Sequence, residues 1–478
     1  MHVAAIVHFA HWKVAGSTIT PLEPSESMQT VKLGYVNAGA VVLGISVLLT
    51  LVLGRWFCGW VCHFVAYQDL CAWLLRRVGL KPKPVRSRLL RWIPIAAAFY
   101  MFAWPAVYRA LWTEVPAPEL RAKFTTSGFW DTFPGPVMAV LTILFAGFLL
   151  VYWMGAKGFC TYGCPYGAFF GVADRFAPMR VKVTDACNTC GHCTVVCSSN
   201  VRVHEEVALY RRVVDPGCMK TMDCVKSCPN DALYFGLATR PLRARTRKLV
   251  HPAADFSWGE EVAMALAGLF AFFAFRGIYF VPFLMALTIG VLFAIVTLTI
   301  WRLVRRTDLT FQNHVLKVAG RLTGVGRLAV ILGIVAVLFT LHTSVVQFMA
   351  WRGSVAADRV DRMEARDPER AAAIAEGVGW YTRSLSMGLF DDGGREFELA
   401  WLERQRLDYD AAERHVRRVL ELLPGDPDAS VFLADVVAIK GNLAEGEAIL
   451  RALVAERPDF EPALMRLRQL EERRAQKR

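Results

Sequence analysis

Acidic side chains are scarce over the first three quarters of this sequence. Residues 1–351 hold 17 Asp and Glu against 34 Lys and Arg. Charge of either sign is thin, at 20% of residues, where soluble domains carry roughly 25%. Cysteine is absent after Cys228. There is no phosphate loop, no dinucleotide fingerprint and no nucleophile–base pair. These gaps argue against an ordinary soluble domain and against a chain with substrate chemistry of its own. The composition also excludes collagen, disorder and a small disulfide scaffold.

Apolar residues are abundant instead. They make up 55% of the 478 residues, and the mean hydropathy is +0.34. Length alone suggests roughly three domains. Residues 352–478 reverse the charge balance, with 21 Lys and Arg against 25 Asp and Glu. The basic part is therefore also the hydrophobic part. That points to membrane topology rather than to nucleic-acid binding, because basic loops beside membrane spans set their orientation.

Charge-free runs near the roughly 20 residues that cross a bilayer give six spans. They are Leu33–Gly54, Trp92–Tyr108, Thr132–Ala156, two arms of a hairpin within Val262–Trp301, and Leu328–Trp351. The hairpin is required because Arg276 at mid-membrane would cost about 2.5–3.5 kcal/mol. Arg276-Gly277 is therefore the turn, with a short first arm at about 258–275. The basic loops 55–91 and 302–327 should be cytoplasmic, and the charge-balanced loop 113–131 should be outside. Alternation then puts residues 157–257 inside and both termini outside. No basic n-region precedes the first apolar stretch, so no cleavable signal peptide is expected. Met1–Val14 reads as half an apolar helix, as though an upstream segment were absent.

Eleven of the twelve cysteines fall into patterned groups. A reducing, cytoplasmic setting favours metal roles over disulfides. Cys187-x2-Cys190-x2-Cys193-x3-Cys197 is followed by Cys218-x5-Cys224-x3-Cys228-Pro229. The first run has the bacterial ferredoxin spacing, in which the fourth Cys of each run ligates the other cluster. One 4Fe-4S cluster is then expected on Cys187, Cys190, Cys193 and Cys228. A second falls to Cys197, Cys218 and Cys224. Its fourth ligand is missing at Thr221, so it is a 3Fe-4S form, or a 4Fe-4S form with a non-Cys ligand such as Asp223 or an exogenous group. A zinc site and a lost second cluster are the plainer alternatives.

A second signal is duplicated. Arg55-Trp-Phe-Cys58-Gly-Trp-Val-Cys62-His63 follows the first span, and Lys157-Gly-Phe-Cys160-Thr-Tyr-Gly-Cys164-Pro165 follows the third. Cys58, Cys62, Cys160 and Cys164 would meet at one membrane depth. They could hold a third cluster or a metal ion, cycle as redox thiols, or be spare structural cysteines. Cys71 stands alone and reads as a small buried apolar residue.

Spans each followed by a Cys-x3-Cys pair, then a cytoplasmic two-cluster segment, resemble the membrane polyferredoxin family. That family includes the membrane quinol-dehydrogenase subunit of periplasmic nitrate reductase, the nitrous-oxide reductase electron-donor protein and the copper-oxidase accessory protein. The resemblance covers about residues 33–350, and His63 stands where the family usually has Pro. It implies electron transfer through clusters at the cytoplasmic face, coupled to quinone or to a partner outside.

Residues 397–463 repeat at a period of 34. Leu407-Asp408-Tyr409 matches Gly441-Asn442-Leu443, Pro424 matches Pro458, and Ala429 matches Ala463. This is the length and pattern of tetratricopeptide repeats, each a helix–turn–helix, of which about three are needed for stability. Two units are clear. A helix around 464–475 would cap them, and an atypical helical region at about 355–395 would complete the stack. Such stacks present a concave protein-binding surface, although the array could instead pack only on its own membrane domain.

His8, His11 and His342 are conceivable haem ligands, but histidines in apolar helices are more often hydrogen-bonded packing. Lys81-Pro-Lys-Pro84 and the basic stretch 240–248 read as topology signals and lipid-headgroup contacts.

The expected fold is mainly α: a polytopic helical membrane domain with an inserted two-cluster ferredoxin segment and a C-terminal tetratricopeptide-repeat solenoid. The expected boundaries are an extracytoplasmic segment 1–32, membrane parts 33–179 and 251–352, a ferredoxin domain 180–250 and an extracytoplasmic repeat domain 353–478. The expected function is an electron-transfer subunit of a larger redox complex in a bacterial inner membrane. Its partners would be lipid, other redox proteins, quinone and an extracytoplasmic protein bound by the repeats, with no nucleic acid. Two other readings are a maturation factor that reduces a metal ion or disulfide for an outer enzyme, and an assembly scaffold.

Overall fold

The computed structural model describes residues 2–112, 116–129, 135–238, 254–458 and 460–477. The basic stretch 240–248 and parts of the 113–131 loop lie outside them. The chain is mainly α and divides into two compact units, residues 1–270 with 287–334 and residues 271–286 with 335–478.

Among the described residues, five helices are long and apolar enough to cross a membrane: Leu90–Trp112, Pro136–Met154, Trp258–Phe275, Phe283–Arg305 and Gly324–Arg362. Ala38–Leu53 is a sixth apolar helix, of 16 residues. Asn37 starts it by accepting from the Ala40 amide at 2.9 Å, an N-cap that satisfies a free helix N–H. Its burial pattern is inverted relative to a soluble helix. Ser46 and Thr50 face inward, while Ile45, Leu48 and Val52 are exposed. Lipid is as apolar as these side chains, so exposing them there costs nothing, whereas the small polar residues find partners inside. Thr50 donates to the Ser46 carbonyl at 2.7 Å.

Leu90–Trp112 begins on the buried carboxylate of Glu261, which accepts from the Arg88 and Leu89 amides at 2.9 and 3.1 Å. Pro94 sits in the first turn of its α segment, where a missing N–H does no harm. The 302–327 region holds a three-stranded antiparallel sheet, Leu309–Phe311, His314–Val318 and Arg321–Leu322. The sequence reading treats that region only as a basic loop.

In the second unit, residues 276–282 turn between Trp258–Phe275 and Phe283–Arg305, as the Arg276-Gly277 argument requires. The Tyr279 amide donates to Asp392 Oδ2 at 2.8 Å, and Ile278 and Tyr279 pack with Val346. Gly324–Arg362 runs unbroken for 39 residues, through the expected boundary at 352/353. Helix Arg370–Met387 follows. Then come Gly393–Gln405 with Tyr409–Leu422, Pro427–Ile439 with Leu443–Glu456, and Glu461–Lys477. The 34-residue period reappears in the caps. Asp392 and Asp426 cap equivalent helices, as do Asp408 and Asn442, each through its side-chain oxygen. Ala400, Val416, Leu433 and Val436 form the buried seam of this stack.

Candidate iron–sulfur centres

All eleven patterned cysteines lie in the first unit. The ferredoxin segment is closed by an antiparallel strand pair, Met179–Val183 with Leu233–Leu237. Between the strands lie three short helices, His192–Val195, Val203–Tyr210 and Asp223–Lys226. Val181, Val183, Val201, Val207 and Val213 form a core on which the cysteines pack.

The two ligand loops share one backbone. Thr189 and Gly191 flank Cys190 with φ of 55° and 78°. Lys220 and Met222 flank Thr221 with φ of 53° and 64°. Left-handed backbone is uncommon at residues other than glycine, and its retention at Lys220 and Met222 means the second loop keeps the path of the first. Asn200 and Asp231, each three residues after the last Cys of its run, repeat the match at 61° and 46°. Thr221 therefore occupies the position in its loop that Cys190 holds in the first loop.

Cys187, Cys190, Cys193 and Cys228 line one cavity together with His204 and Pro229. The Ala232 amide reaches Cys228 Sγ at 3.3 Å. Cys197, Cys218 and Cys224 form a second group. Burial, and then the neighbouring Cys218 thiol, push the Cys197 thiol up to about 12. Cys224 is raised by burial and then by Cys218 and Cys197. At the missing corner, Thr221 Oγ1 and Ser198 Oγ both donate to Asp223 Oδ2, at 2.8 and 2.7 Å. Those bonds orient the Asp223 carboxylate.

The duplicated motif folds twice in the same way. A glycine with positive φ ends the apolar helix, Gly54 at 72° and Gly155 at 97°. A one-turn helix follows, Trp56–Trp60 or Gly158–Tyr162, carrying Cys58 or Cys160. The second Cys precedes the next helix. Cys62 is the N-cap of His63–Arg77, and Cys164 lies just before Tyr166–Asp174. The repeats exchange aromatic contacts: Phe57 stacks on Phe170 at 5.4 Å and Phe159 packs on Phe64 at 4.5 Å. Cys58 and Cys160 are each 7% exposed.

The four thiols lie within electrostatic reach of one another. Burial raises Cys62 to about 11, with Cys58 adding to it. Burial raises Cys164 to about 12, with Cys62 and Cys58 adding to it. Cys160 is pushed well above the usual thiol range by burial, Cys164, Cys62 and Cys58. Backbone amides oppose this, from Phe64 and Val65 at Cys62 and from Gly167 at Cys164. Helix N-terminal amides of this kind favour thiolates. Cys160 Sγ is also 3.5 Å from Oε1 of the fully buried Gln68.

This group abuts the second ferredoxin group. A Cβ added at Gly59, between Cys58 and Cys62, would lie 2.3 Å from the Met219 carbonyl. Trp60 Nε1 donates to the Lys220 carbonyl at 2.7 Å. The two cysteine sets are therefore joined through the 218–221 backbone.

Several side chains around the sites were missed by the motif reading. Arg55, counted there only as a topology signal, is 6% exposed. Burial opposes its charge, but Cys58, Asp174 and Cys160 hold its pKa above the ordinary value. Lys157 is fully buried, with Nζ 2.5 Å from Asp69 Oδ1. The sequence signal was available: each repeat has a cation three residues before its first Cys. Cys71 is buried, as expected. His8 Nε2 lies 2.6 Å from the Ile19 carbonyl and His11 Nδ1 3.0 Å from Thr18 Oγ1.

The residues present suit iron–sulfur groups. Four thiols line one cavity, three more lie with the hydrogen-bonded Asp223 carboxylate beside them in the chain, and four lie within electrostatic reach of one another at the membrane-face loops. Among the described residues no group of three or more His, Cys, Asp or Glu converges tightly enough for a single metal ion.

Comparison with known proteins agrees with this arrangement. A family described as a 4Fe-4S binding domain matches residues 38–81 and 137–184, which are the two Cys-x3-Cys repeats. A tetratricopeptide-repeat family matches residues 404–470. The chain is 28% identical to the ferredoxin-type protein NapH of Escherichia coli, over 47% of this chain and 76% of that one. It is 26% identical to the methylamine utilization ferredoxin-type protein MauN of Methylorubrum extorquens, over 40% and 64%. It is 27% identical to the putative electron transport protein YccM of Escherichia coli, over 42% and 57%. The chain thus spans between about half and three quarters of these relatives' own lengths. Over these regions it is similar to ferredoxin-type proteins, and it carries tetratricopeptide repeats.

Proposed function

We propose that this chain is an iron–sulfur electron-transfer protein of a bacterial cytoplasmic membrane and works as a subunit of a larger redox complex. The observation that carries the reading is the adjacency of the cysteine sets, with Gly59 and Trp60 of the membrane-face loop packed on Met219 and Lys220 of the ferredoxin segment. Clusters bound there would supply one-electron carriers.

The chain's own residues do the rest. Cys187, Cys190, Cys193 and Cys228 hold a 4Fe-4S group. Cys197, Cys218 and Cys224 hold a second group, whose open corner faces Thr221 and Asp223. Cys58, Cys62, Cys160 and Cys164 hold a third at the membrane face. Burial of Cys58 and Cys160 supports ligation there over thiol exchange, which needs an accessible thiolate. The basic loops assign the ferredoxin segment to the cytoplasmic side. Alternation of six spans assigns the repeats to the outer side, where they would dock an extracytoplasmic partner. The electron partner is quinone or that outer protein.

The test is anaerobic purification, iron and acid-labile sulfide analysis, and EPR of oxidised and dithionite-reduced samples. About eleven or twelve irons per chain are expected for three groups. Seven or eight would leave the membrane-face cysteines as thiols and turn the reading towards a reductase for a metal ion or a disulfide. No iron in a folded anaerobic sample would remove the electron-transfer reading altogether.

A further inference from the structure

Four charged side chains of the first unit are withdrawn from solvent together. Arg55, Asp174, Arg180 and Lys220 are 6%, 0%, 4% and 1% exposed. Lys220 Nζ lies 3.0 Å from Asp174 Oδ1, and Arg180 Nη1 lies 2.6 Å from Oδ2. The Arg55 amide donates to Asp174 Oδ1 at 3.0 Å, and its Nη1 donates to the Pro216 carbonyl at 3.2 Å. Two cations thus pair directly with one carboxylate, and the Arg55 guanidinium lies within electrostatic reach of it and of Cys58. Arg55 Nε is buried without a hydrogen-bond partner.

Uncompensated buried charge is costly. The next carboxylate within reach of Lys220 is Glu206. Burial, and then the neighbouring Asp215, push its pKa up, which weakens it as a counter-charge. Among these four buried side chains the cations outnumber the carboxylate three to one.

The location of the excess is specific. Lys220 lies in the chain between Cys218 and Cys224, and its Nζ donates to the Cys218 carbonyl at 3.3 Å. Arg55 lies three residues before Cys58. A Cβ added at Gly54 would come within 2.6 Å of both Asp174 Oδ1 and Lys220 Cε, so the membrane-face loop rests directly on this group. The second repeat supplies a further buried cation at the equivalent position, Lys157. Its carboxylate partner, Asp69, is 46% exposed.

We propose that Arg55, Arg180 and Lys220, organised on Asp174, form a charge bridge between the second ferredoxin site and the four-cysteine site, and that this bridge sets the reduction potentials of both. The inference rests on the iron–sulfur reading above. Thiolate-ligated clusters are anionic, and net charge is among the factors that set their potentials. Fixed cations beside them favour the form that holds one more electron. These are positioning residues, because none of them donates a ligand atom.

The test is an EPR-monitored potentiometric titration of the full chain, purified anaerobically in detergent. Lys220→Met is expected to make reduction of the second ferredoxin group at least tenfold less favourable, a downward shift of about 59 mV for one electron. Asp174→Asn is expected to shift it upward. The double variant should fall between the two, and Lys220→Arg should keep the wild-type value. If Lys220→Met fails to retain iron, the upward shift of Asp174→Asn carries the test. Shifts of the same sign, or no shift, in samples with wild-type iron content would overturn the bridge while leaving the electron-transfer reading standing. A wild-type protein without iron would overturn both.

Discussion

At the scale of single residues, Thr221 concentrates the question of what the second site holds. Its loop keeps the left-handed positions of the first loop at Lys220 and Met222. Such backbone costs of order 1–3 kcal/mol at a non-glycine residue, so a loop with no ligand to hold would be expected to relax. The hydroxyl of Thr221 is tied to Asp223 Oδ2, which also accepts from Ser198. Thr221→Cys should therefore place a fourth thiol at a prepared position. Iron analysis is expected to rise by about one atom if the wild-type group has three irons, and the oxidised three-iron EPR signal should vanish. If Asp223 instead completes a four-iron group, Asp223→Ala should create that signal. Neither change in either variant would mean that the second site is not assembled. Spacing alone singles out these cysteines and the departure at Thr221, and the shared left-handed backbone of the two loops matches that spacing. Arg55 and Lys157 were not read as site residues, because a cation beside a membrane span has a ready topological explanation. Only their burial separates the two roles.

At the scale of elements, the two Cys-x3-Cys turns are built by close backbone approach. Gly59 is the tightest point, since a methyl there would meet the Met219 carbonyl at 2.3 Å. Gly59→Ala must push the membrane-face loop away from residues 218–221, and overpacking of this kind typically costs about 1–3 kcal/mol. The expected result is a lower temperature of iron loss and easier proteolysis between the strands Met179–Val183 and Leu233–Leu237. Gly44→Ala, in the apolar helix Ala38–Leu53 with nothing within 4 Å of the added carbon, should leave both unchanged. Equal behaviour of the two variants would count against the contact. The spans were legible because lipid demands long charge-free runs, and a lone Arg276 was enough to mark a turn. Their ends were less so. The first apolar run begins at Leu33, but Gly34 ends the helix Met28–Leu33, and Asn37 caps a new one after Tyr35–Val36. The three-stranded sheet at 309–322 was invisible because strands of two to five residues show too little alternation to register. The repeats were legible because the caps Asp408 and Asn442 recur with the period of the sequence.

At the scale of the whole molecule, the sequence is partitioned by charge, with basic residues in the membrane part and a slight acidic excess after residue 351. In a bacterial membrane that partition has a directional consequence. Basic loops stay on the cytoplasmic side, because moving them across is opposed, whereas acidic segments are translocated with little hindrance. Trp258–Phe275 and Phe283–Arg305 are joined by only residues 276–282. Arg302, Arg305 and Arg306 close the second of these helices. On the proposed topology the Gly320 turn, exposed at the tip of the short sheet, would lie inside, and the helical repeats beyond Arg362 would lie outside. Alkaline phosphatase fused after Lys477 should be active and a fluorescent protein fused there dark. The pattern should reverse for fusions inserted at Gly320. Neutralising Arg302, Arg305 and Arg306 together should weaken the bias, and both reporters should then give intermediate signals. Active phosphatase at Gly320 in the unaltered chain would invert the topology. It would move the repeats to the cytoplasmic side and make their partner a cytoplasmic protein, while leaving the cysteine chemistry as it stands.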